Sequence, residues 1–211
     1  MAKRVLCLHG MRQNSDLVAG DFRALLAQEE AEFMNGVHKP STPLPENMAP
    51  FRSIFGDFDK GTSFIWWNVE DDGTYRGCEE TMEAVMARVK ETKPRVMAGF
   101  SQGASVTLIY LLECALRNED PGIHYAIACA PPLVRHPPLQ ERLKTIGVKV
   151  KVPVLFFFGQ QDDWCPYKKE AWTTFMDSYF ETWSVHEFQG GHVVPTDPAS
   201  IAKAKAFLAS S

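Results

Sequence analysis

Three side chains with complementary chemistry each follow a short apolar run in this sequence of 211 residues. Ser101 follows the run at 95–100, Asp162 follows the run at 154–158, and His192 follows the run at 184–188. A serine hydroxyl is a weak nucleophile at neutral pH, so it needs an adjacent base, and the base needs an acid to orient it. The three residues therefore predict acyl transfer through Ser101, with His192 as the base and Asp162 as the orienting acid.

The sequence around Ser101 is Gly99-Phe100-Ser101-Gln102-Gly103, between a predicted strand and an apolar stretch predicted to be helical. G-x-S-x-G at a strand–turn–helix junction is the nucleophile elbow of an α/β-hydrolase, in which the acid and then the histidine follow the serine along the chain. The two glycines let the chain reverse tightly and let the helix pack closely. The pentapeptide alone would occur in roughly one shuffled chain in twenty, so the interpretation depends on its setting.

Other residues of the same types compete for these roles. His9 follows the first predicted strand, where a structural hydrogen bond is expected. Three further histidines lie at a strand start, within a strand or in a loop: His124, His136 and His186. Asp163 is adjacent to Asp162, so the two side chains point in different directions, and Asp163 is interpreted as a solvated neighbour or a helix-start residue.

Acyl transfer also needs two N–H donors that converge on the developing oxyanion. One is expected from Gln102, directly after the nucleophile. The other is expected from Met11, because Gly10 lets the loop after the first strand approach closely. The wall of an apolar pocket for medium acyl chains is predicted to include Trp66, Trp67, Leu133 and Val193. The tryptophan pair is interpreted as core or pocket wall and not as a platform for a base.

The composition limits the classes of protein. Hydrophobic residues make up 45% and charged residues 23%, which is typical of a soluble globular protein with a sizeable core. A net charge of −4 without a Lys/Arg cluster argues against a nucleic-acid partner. Five scattered cysteines without C-x-x-C spacing favour reduced thiols over disulfides or a zinc site. The first apolar run is too short for a signal or membrane span, so a cytoplasmic location is expected.

Apolar runs alternate with amphipathic stretches, which is typical of βαβ units and a parallel sheet. Strands are predicted at residues 5–8, 32–36, 64–67, 95–100, 125–129, 154–158 and 184–188. Helices are predicted at residues 17–28, 78–92, 104–116, 138–146, 168–180 and 198–208. The prediction is one α/β-hydrolase domain over residues 1–211, with a central mostly parallel sheet, helices on both faces and no large lid domain. Two proline-rich segments, 38–61 and 131–138, are expected either to border the pocket or to be plain surface connections.

Several motifs in order along the chain match one known family. They are Cys7-Leu8-His9-Gly10 with Gln13-Asn14, Trp66-Trp67-Asn68, Tyr75-Arg76-Gly77, the stretch from Gly99 to Ala104, the loop 159–166, and Gly190-Gly191-His192 with Pro195. In these motifs the sequence resembles the FSH family of serine hydrolases. The resemblance implies a hydrolase of esters or thioesters that uses Ser101, Asp162 and His192 and needs no cofactor and no metal. Cys165 stands where the family commonly has an aliphatic residue, and Met11 brings a bulkier side chain toward the pocket.

Together, the residues and the resemblance predict a serine hydrolase that cleaves carboxylic esters through an acyl-enzyme. Two alternatives stay open. One is a thioesterase that releases acyl chains from an acyl carrier protein or another acylated protein, and the other is a non-catalytic binding protein on a hydrolase scaffold. The expected partner is a small-molecule ester or thioester, with no nucleic acid and no membrane span. The sequence leaves the oligomeric state open.

Overall fold

The computed structural model describes residues 4–27, 29–46, 48, 53–144, 147 and 149–210. Its strands, in chain order, are β1 (Arg4–Leu8), β2 (Glu30–Met34), β3 (Asn68–Val69), β4 (Tyr75–Arg76), β5 (Val96–Phe100), β6 (Tyr125–Cys129), β7 (Val154–Gly159) and β8 (Trp183–Phe188). Its helices are α1 (Ser15–Leu26), α2 (Cys78–Thr92), α3 (Gln102–Arg117), α4 (Pro137–Leu143), α5 (Lys169–Tyr179) and α6 (Pro198–Ala209). Among the described residues, no helix has the length and apolar character needed to cross a membrane.

Six of the strands form one sheet in the order β2-β1-β5-β6-β7-β8, and every neighbouring pair is parallel. The strand order reverses between β1 and β5, because the chain first adds β2 on one side of β1 and then adds the later strands on the other. In an open parallel sheet, such a switch point leaves a crevice at the carboxyl ends of the strands, where ligands bind. The loops that follow β1 and β5 therefore meet at this crevice.

Residues of the central strands are buried on both faces of the sheet, which explains their nearly continuous apolar sequence. On one face, Leu6 and Phe156 belong to a core that also contains buried side chains of α2, α3, α4 and α5. On the other face, Val5 and Phe157 pack with buried side chains of α1 and α6. The predicted arrangement, a parallel sheet with helices on both faces, is confirmed.

Two predicted strands differ from the structure. Residues 64–67 form no strand of the sheet; Phe64 and Ile65 make only isolated bridges, with Gln13 and His38. The backbone of the next two residues is hydrogen-bonded to the side chain of Gln102 and not to a neighbouring strand. Oε1 of Gln102 accepts from the N–H of Trp66 at 3.0 Å, and its Nε2 donates to the carbonyl of Trp67 at 2.9 Å. The strand predicted at residues 32–36 is β2, which begins and ends two residues earlier.

Candidate active site

Ser101 is the N-cap residue of α3, at the sharp turn that follows β5. Its φ of 52° and ψ of −119° lie in a region that L-residues rarely adopt. A Cβ added at Gly99 would lie 2.2 Å from the carbonyl oxygen of Gly103, and one added at Gly103 would lie 2.5 Å from that of Leu8. The turn therefore requires glycine on both sides of Ser101. The N–H of Ser101 donates to the carbonyl of Cys129 on β6 at 2.9 Å, which attaches the turn to the sheet.

The side chains of Ser101, His192 and Asp162 form a continuous hydrogen-bonded chain. Nε2 of His192 lies 2.9 Å from Oγ of Ser101, and Nδ1 of His192 lies 2.8 Å from Oδ2 of Asp162. An ionised carboxylate can only accept, so Nδ1 carries the proton and Nε2 is free to accept from the serine hydroxyl. The structure thus brings together three residues that the sequence separates by as many as 91 positions.

Asp162 is buried, yet its environment favours the ionised form. Its second oxygen, Oδ1, accepts from the backbone N–H groups of Trp164 at 2.9 Å and Cys165 at 2.8 Å. Burial by itself raises the pKa of Asp162, but the hydrogen bonds from His192 and from these two N–H groups outweigh it and hold the pKa below its ordinary value. The neighbouring Asp163 is exposed. The carboxylate that faces His192 therefore stays charged at neutral pH.

The loop that carries Asp162 also carries a thiol, Cys165, which is a nucleophilic type of side chain. Burial raises its pKa to about 12, and the charge of Asp162 acts in the same direction. The thiolate is the reactive form of cysteine. Cys165 therefore stays protonated at neutral pH and contributes its backbone N–H to the site.

The loops that carry the acid and the histidine are joined by backbone hydrogen bonds. The N–H of Gln160 donates to the carbonyl of Phe188 at 3.0 Å, and that of Gln161 donates to the carbonyl of Gly190 at 2.9 Å. A Cβ at Gly159 would lie 2.4 Å from the carbonyl oxygen of Gly191, so the close approach of the two loops depends on glycine. This contact sets the separation between Asp162 and His192.

The imidazole of His192 lies between two aromatic rings. Its centroid is 5.0 Å from that of Phe100 and 5.4 Å from that of Trp164. Trp164 in turn stacks on Phe55 at 6.1 Å with an interplanar angle of 12°. These contacts restrict the movement of the His192 ring.

The side chain of Gln13 joins the loop after β1 to the segment 53–55. Its Oε1 accepts from the N–H of Gly10 at 2.9 Å, and its Nε2 donates to the carbonyl of Ile54 at 2.9 Å. A Cβ at Gly10 would lie 3.1 Å from the ring of Phe100, so glycine permits the close approach. The next residue, Met11, consequently lines the same cavity as Ser101.

His9 has a structural role in this loop. Its Nε2 accepts from the N–H of Gly36 at 2.9 Å, which leaves Nδ1 as the donor to the carbonyl of Gly10 at 2.6 Å. Its own carbonyl accepts from the indole N–H of Trp66 at 2.8 Å. Burial lowers the pKa of His9 to about 4, because the charged imidazolium would be desolvated. The neutral ring therefore belongs to the native structure, and no contact joins it to Ser101 among the described residues.

We expect His9 to make stability depend on pH. Its pKa is about 4 in the folded chain and near 6.5 when exposed, so the unfolded state binds the proton more tightly. The contribution of His9 to the free energy of unfolding should be fully present above pH 6.5. It should decrease by about 3 kcal/mol as the pH falls from 6.5 to about 4. Urea unfolding at a series of pH values measures the effect. His9→Gln should flatten the curve there, whereas His124→Gln, at an exposed position, should not. Identical pH dependence of the wild type and His9→Gln would contradict the prediction.

A cavity of about 220 Å³ opens directly over Ser101. Its wall is mostly apolar and combines the β1 loop, one face of α1, residues 53–55 and the segment after His192. The structure describes seven large apolar side chains that are conspicuously exposed, and five of these line the cavity: Met11, Leu17, Ile54, Trp164 and Val193. Apolar surface that is exposed at one place in this way is typical of a ligand site.

The two tryptophans predicted for the pocket wall need correction. Val193 lines the cavity, but Trp66 and Trp67 are buried in the core, where Trp67 stacks on Tyr75 at 4.9 Å. The side chain of Gln102, at the start of α3, holds the backbone of both tryptophans. Leu133 lines a neighbouring groove that has Trp164 in common with the cavity, and its place in the pocket wall stays a prediction.

Sequence reasoning did not find several residues that shape the site. Trp164, Phe55 and Ile54 form its wall, and the side chain of Gln13 positions the β1 loop. Trp164 gave a usable signal, because a large aromatic residue directly follows the candidate acid. The segment 53–55 was covered only by the broad expectation for the proline-rich stretch 38–61, because tertiary contacts decide which residues of such a loop reach the crevice. Residues 53–55 belong to the proline-rich segment 38–61, so part of that segment borders the cavity.

The sequence profile of the family described as serine hydrolase (FSH1) matches residues 1–204 of this chain. The chain belongs to this family. Among relatives of this serine hydrolase, esterase OVCA2 of Danio rerio is 30% identical over an alignment 213 residues long. The alignment covers 91% of this chain and 90% of the relative. Esterase C25G4.2 of Caenorhabditis elegans is 30% identical over 199 residues, which cover 92% of this chain and 86% of the relative. The serine hydrolase is accordingly an ester-cleaving enzyme, as predicted.

Solved structures show the same fold for the serine hydrolase. A carboxylesterase from Mesorhizobium loti superposes with a TM-score of 0.68 at 14% identity, covering 99% of this chain and 89% of that one. Esterase PE8 superposes with a TM-score of 0.65 at 22% identity, covering 98% and 92%. The predicted α/β-hydrolase fold class is therefore confirmed, and no large lid is evident in the described part of the chain.

Proposed function

We propose that this serine hydrolase cleaves carboxylic esters through an acyl-enzyme formed on Ser101. The observation that carries the proposal is the unbroken hydrogen-bonded chain from Ser101 through His192 to Asp162, with the serine hydroxyl on the wall of an apolar cavity. His192 takes the hydroxyl proton as Oγ attacks the ester carbonyl, and it then protonates the leaving alcohol. Asp162 holds the Nδ1–H tautomer and stabilises the imidazolium. Water, activated by the same histidine, hydrolyses the acyl-enzyme.

The N–H groups of Met11 and Gln102 are the proposed oxyanion donors. Gln102 begins α3, and the first N–H groups of a helix have no acceptor within the helix. The positive end of the α3 dipole adds to the attraction for a negative oxygen. Met11 approaches from the other side of the switch point, from the loop that Gln13 holds in place. The two donors would therefore converge from two sides on the carbonyl oxygen of a substrate bound at Ser101.

The cavity supports an apolar acyl group of medium length. A cavity of about 150 Å³ with apolar walls holds one benzene molecule, and the cavity here is larger, at about 220 Å³. Met11, Val193 and Trp164 provide apolar contacts next to the nucleophile. We therefore expect kcat/KM for p-nitrophenyl esters to rise from the acetyl to the hexanoyl chain and to fall again for acyl chains too long for the cavity.

A fluorophosphonate probe tests the proposed function directly. Such a probe phosphonylates an activated serine, and the adduct remains on the nucleophile. We expect stoichiometric labelling, mapped by mass spectrometry to the peptide that contains Ser101, together with hydrolysis of p-nitrophenyl hexanoate. A label on any other peptide would contradict the assignment of the nucleophile. Absence of both labelling and hydrolysis would favour the alternative of a non-catalytic binding protein on a hydrolase scaffold.

The thioesterase alternative differs only in the leaving group. We expect an oxygen ester and a thioester with the same hexanoyl group to form the same acyl-enzyme, with the oxygen ester turned over at least equally well. A small-molecule thioester and the same acyl group on an acyl carrier protein should be compared at equal concentration. A preference of tenfold or more for the carrier-bound thioester would replace the esterase proposal with release of acyl chains from a carrier.

A further inference from the structure

One carboxylate interrupts the apolar wall of the cavity. Leu17, Val18 and Asp21 lie on the same face of α1, since residues three and four apart are neighbours on a helix, and all three line the cavity. Asp21 is exposed to solvent at the same time. Among the described residues that line the cavity, Asp21 is the one ionisable side chain apart from His192, which is hydrogen-bonded to Ser101 and Asp162.

Asp21 lies about two turns along α1 from the loop that precedes this helix. The N-cap of α1 is Asn14, which directly follows the loop beside the nucleophile. Asp21 is seven positions after Asn14, which corresponds to about 10 Å along the helix axis. A substrate with its carbonyl at Ser101 would therefore meet Asp21 with a distal part of its acyl group.

The charge of Asp21 is not neutralised by the cations nearest to it in sequence. The guanidinium of Arg12 donates to the carbonyl of Thr42 at 2.8 Å, and the guanidinium of Arg23 lies over the ring of Phe33 at 5.2 Å. No hydrogen bond or ion pair of the Asp21 carboxylate occurs within the described ranges. Partial burial raises the pKa of Asp21, which reflects the cost of keeping this charge beside apolar groups.

We propose that Asp21 makes the acyl site selective for charge: the site favours acyl groups with a cationic distal end and disfavours those that end in a carboxylate. An apolar wall accepts the methylene chain, and the carboxylate at its outer end attracts a cation or repels an anion. Asp21 is exposed, so water and salt weaken its field, but a charge at the outer end of the acyl group would lie within the Debye length of about 8 Å at physiological ionic strength and would still interact with it. Asp21 is thus a specificity determinant, and this inference rests on the proposed ester hydrolysis at Ser101.

An isosteric pair of substrates tests the selectivity. One p-nitrophenyl ester carries an acyl chain that ends in a trimethylammonium group, and the other carries the same chain ending in an uncharged tert-butyl group. The quantity of interest is the ratio of their kcat/KM values, because differences in size and in leaving group cancel. We expect Asp21→Asn to lower this cation-to-neutral ratio by about tenfold relative to the wild type. A third ester ending in a carboxylate should gain relative to the neutral one in the same variant.

Asp16→Asn is the matched control. Asp16 is an exposed carboxylate of the same helix, it does not line the cavity, and its removal changes the net charge equally. We expect Asp16→Asn to change the ratio by less than twofold, and Asp21→Glu to retain most of the selectivity. Raising the ionic strength should reduce the ratio in the wild type and have little effect in Asp21→Asn.

The outcomes separate this inference from the proposed function. Equal ratios in the wild type and Asp21→Asn, with the neutral ester turned over normally, would overturn the role of Asp21 and leave ester hydrolysis intact. Failure of the wild type to hydrolyse any of the esters would overturn the proposed function itself. Equal loss of selectivity in Asp16→Asn would show a general effect of net charge and would also overturn the assignment to Asp21.

Discussion

Ser101→Ala is expected to lower kcat for p-nitrophenyl hexanoate by about a million-fold, because it removes the hydroxyl that is hydrogen-bonded to His192 and is proposed to form the acyl-enzyme. The remaining rate over water would come from the oxyanion donors and from binding alone. The hydroxyl of Ser101 contacts His192, and its backbone makes the turn. The variant should therefore keep the wild-type melting temperature and a similar affinity for the hexanoyl group. Single-turnover kinetics and a thermal melt measure the two effects.

Ser105→Ala is the control for this substitution. Ser105 lies one helical turn further along α3, is buried, and donates from Oγ to the carbonyl of Pro132 at 3.1 Å. Its replacement should cost about 1 kcal/mol of stability through the lost hydrogen bond and should leave kcat within a few-fold. If Ser101→Ala retained even one per cent of the wild-type turnover, Ser101 would not be the nucleophile.

Asp162→Asn is expected to lower kcat by about ten-thousand-fold while KM changes little. In the wild type, Oδ1 accepts from two backbone N–H groups and Oδ2 accepts from Nδ1 of His192. In the asparagine variant, the amide oxygen should occupy the Oδ1 position, because only an acceptor fits the two donors. The amide NH2 group would then face Nδ1 and would move the imidazole proton to Nε2, the wrong tautomer for a base. Steady-state kinetics over the acyl series measure the loss.

Asp163→Asn is the matched control, because it removes the same charge from the adjacent, exposed position. We expect its kcat to stay within twofold of the wild type. A large loss in Asp163→Asn together with a small one in Asp162→Asn would show that the acid has been assigned to the wrong residue. Proton NMR of the His192 ring provides a second readout, since only Asp162→Asn should remove the downfield Nδ1–H signal.

The tryptophan pair illustrates where sequence reasoning reached its limit. Trp66 and Trp67 are large and apolar, and the sequence alone allows either a place in the core or a place in the pocket wall. Their position depends on Gln102, whose side chain pairs with the backbone of both residues across 35 and 36 positions of sequence. A backbone segment that is hydrogen-bonded to a side chain has no characteristic pattern of apolar and polar residues. For this reason the strand predicted at residues 64–67 was also wrong.

The wall of the cavity was equally hard to predict, for a related reason. Ile54 and Phe55 come from an irregular segment, and they meet Trp164 and Gln13 only because separate loops converge on one crevice. Asp21 looks in sequence like any exposed acidic residue of an amphipathic helix. Its relation to the cavity depends on the angle at which α1 packs on the sheet, which its own residues do not specify.

The sequence by itself determined the fold class and the three candidate catalytic residues. Alternating apolar and amphipathic segments specify a parallel sheet covered by helices, and such a sheet brings the residues that follow its strands to one edge. Glycines at 99 and 103 mark the turn at which Ser101 lies. These are local signals, since each depends on residues close together in the chain. Tertiary structure alone decided the tautomer of His192, the low pKa of Asp162 and the lining of the cavity, because each of these depends on distances between atoms of loops that are far apart in sequence.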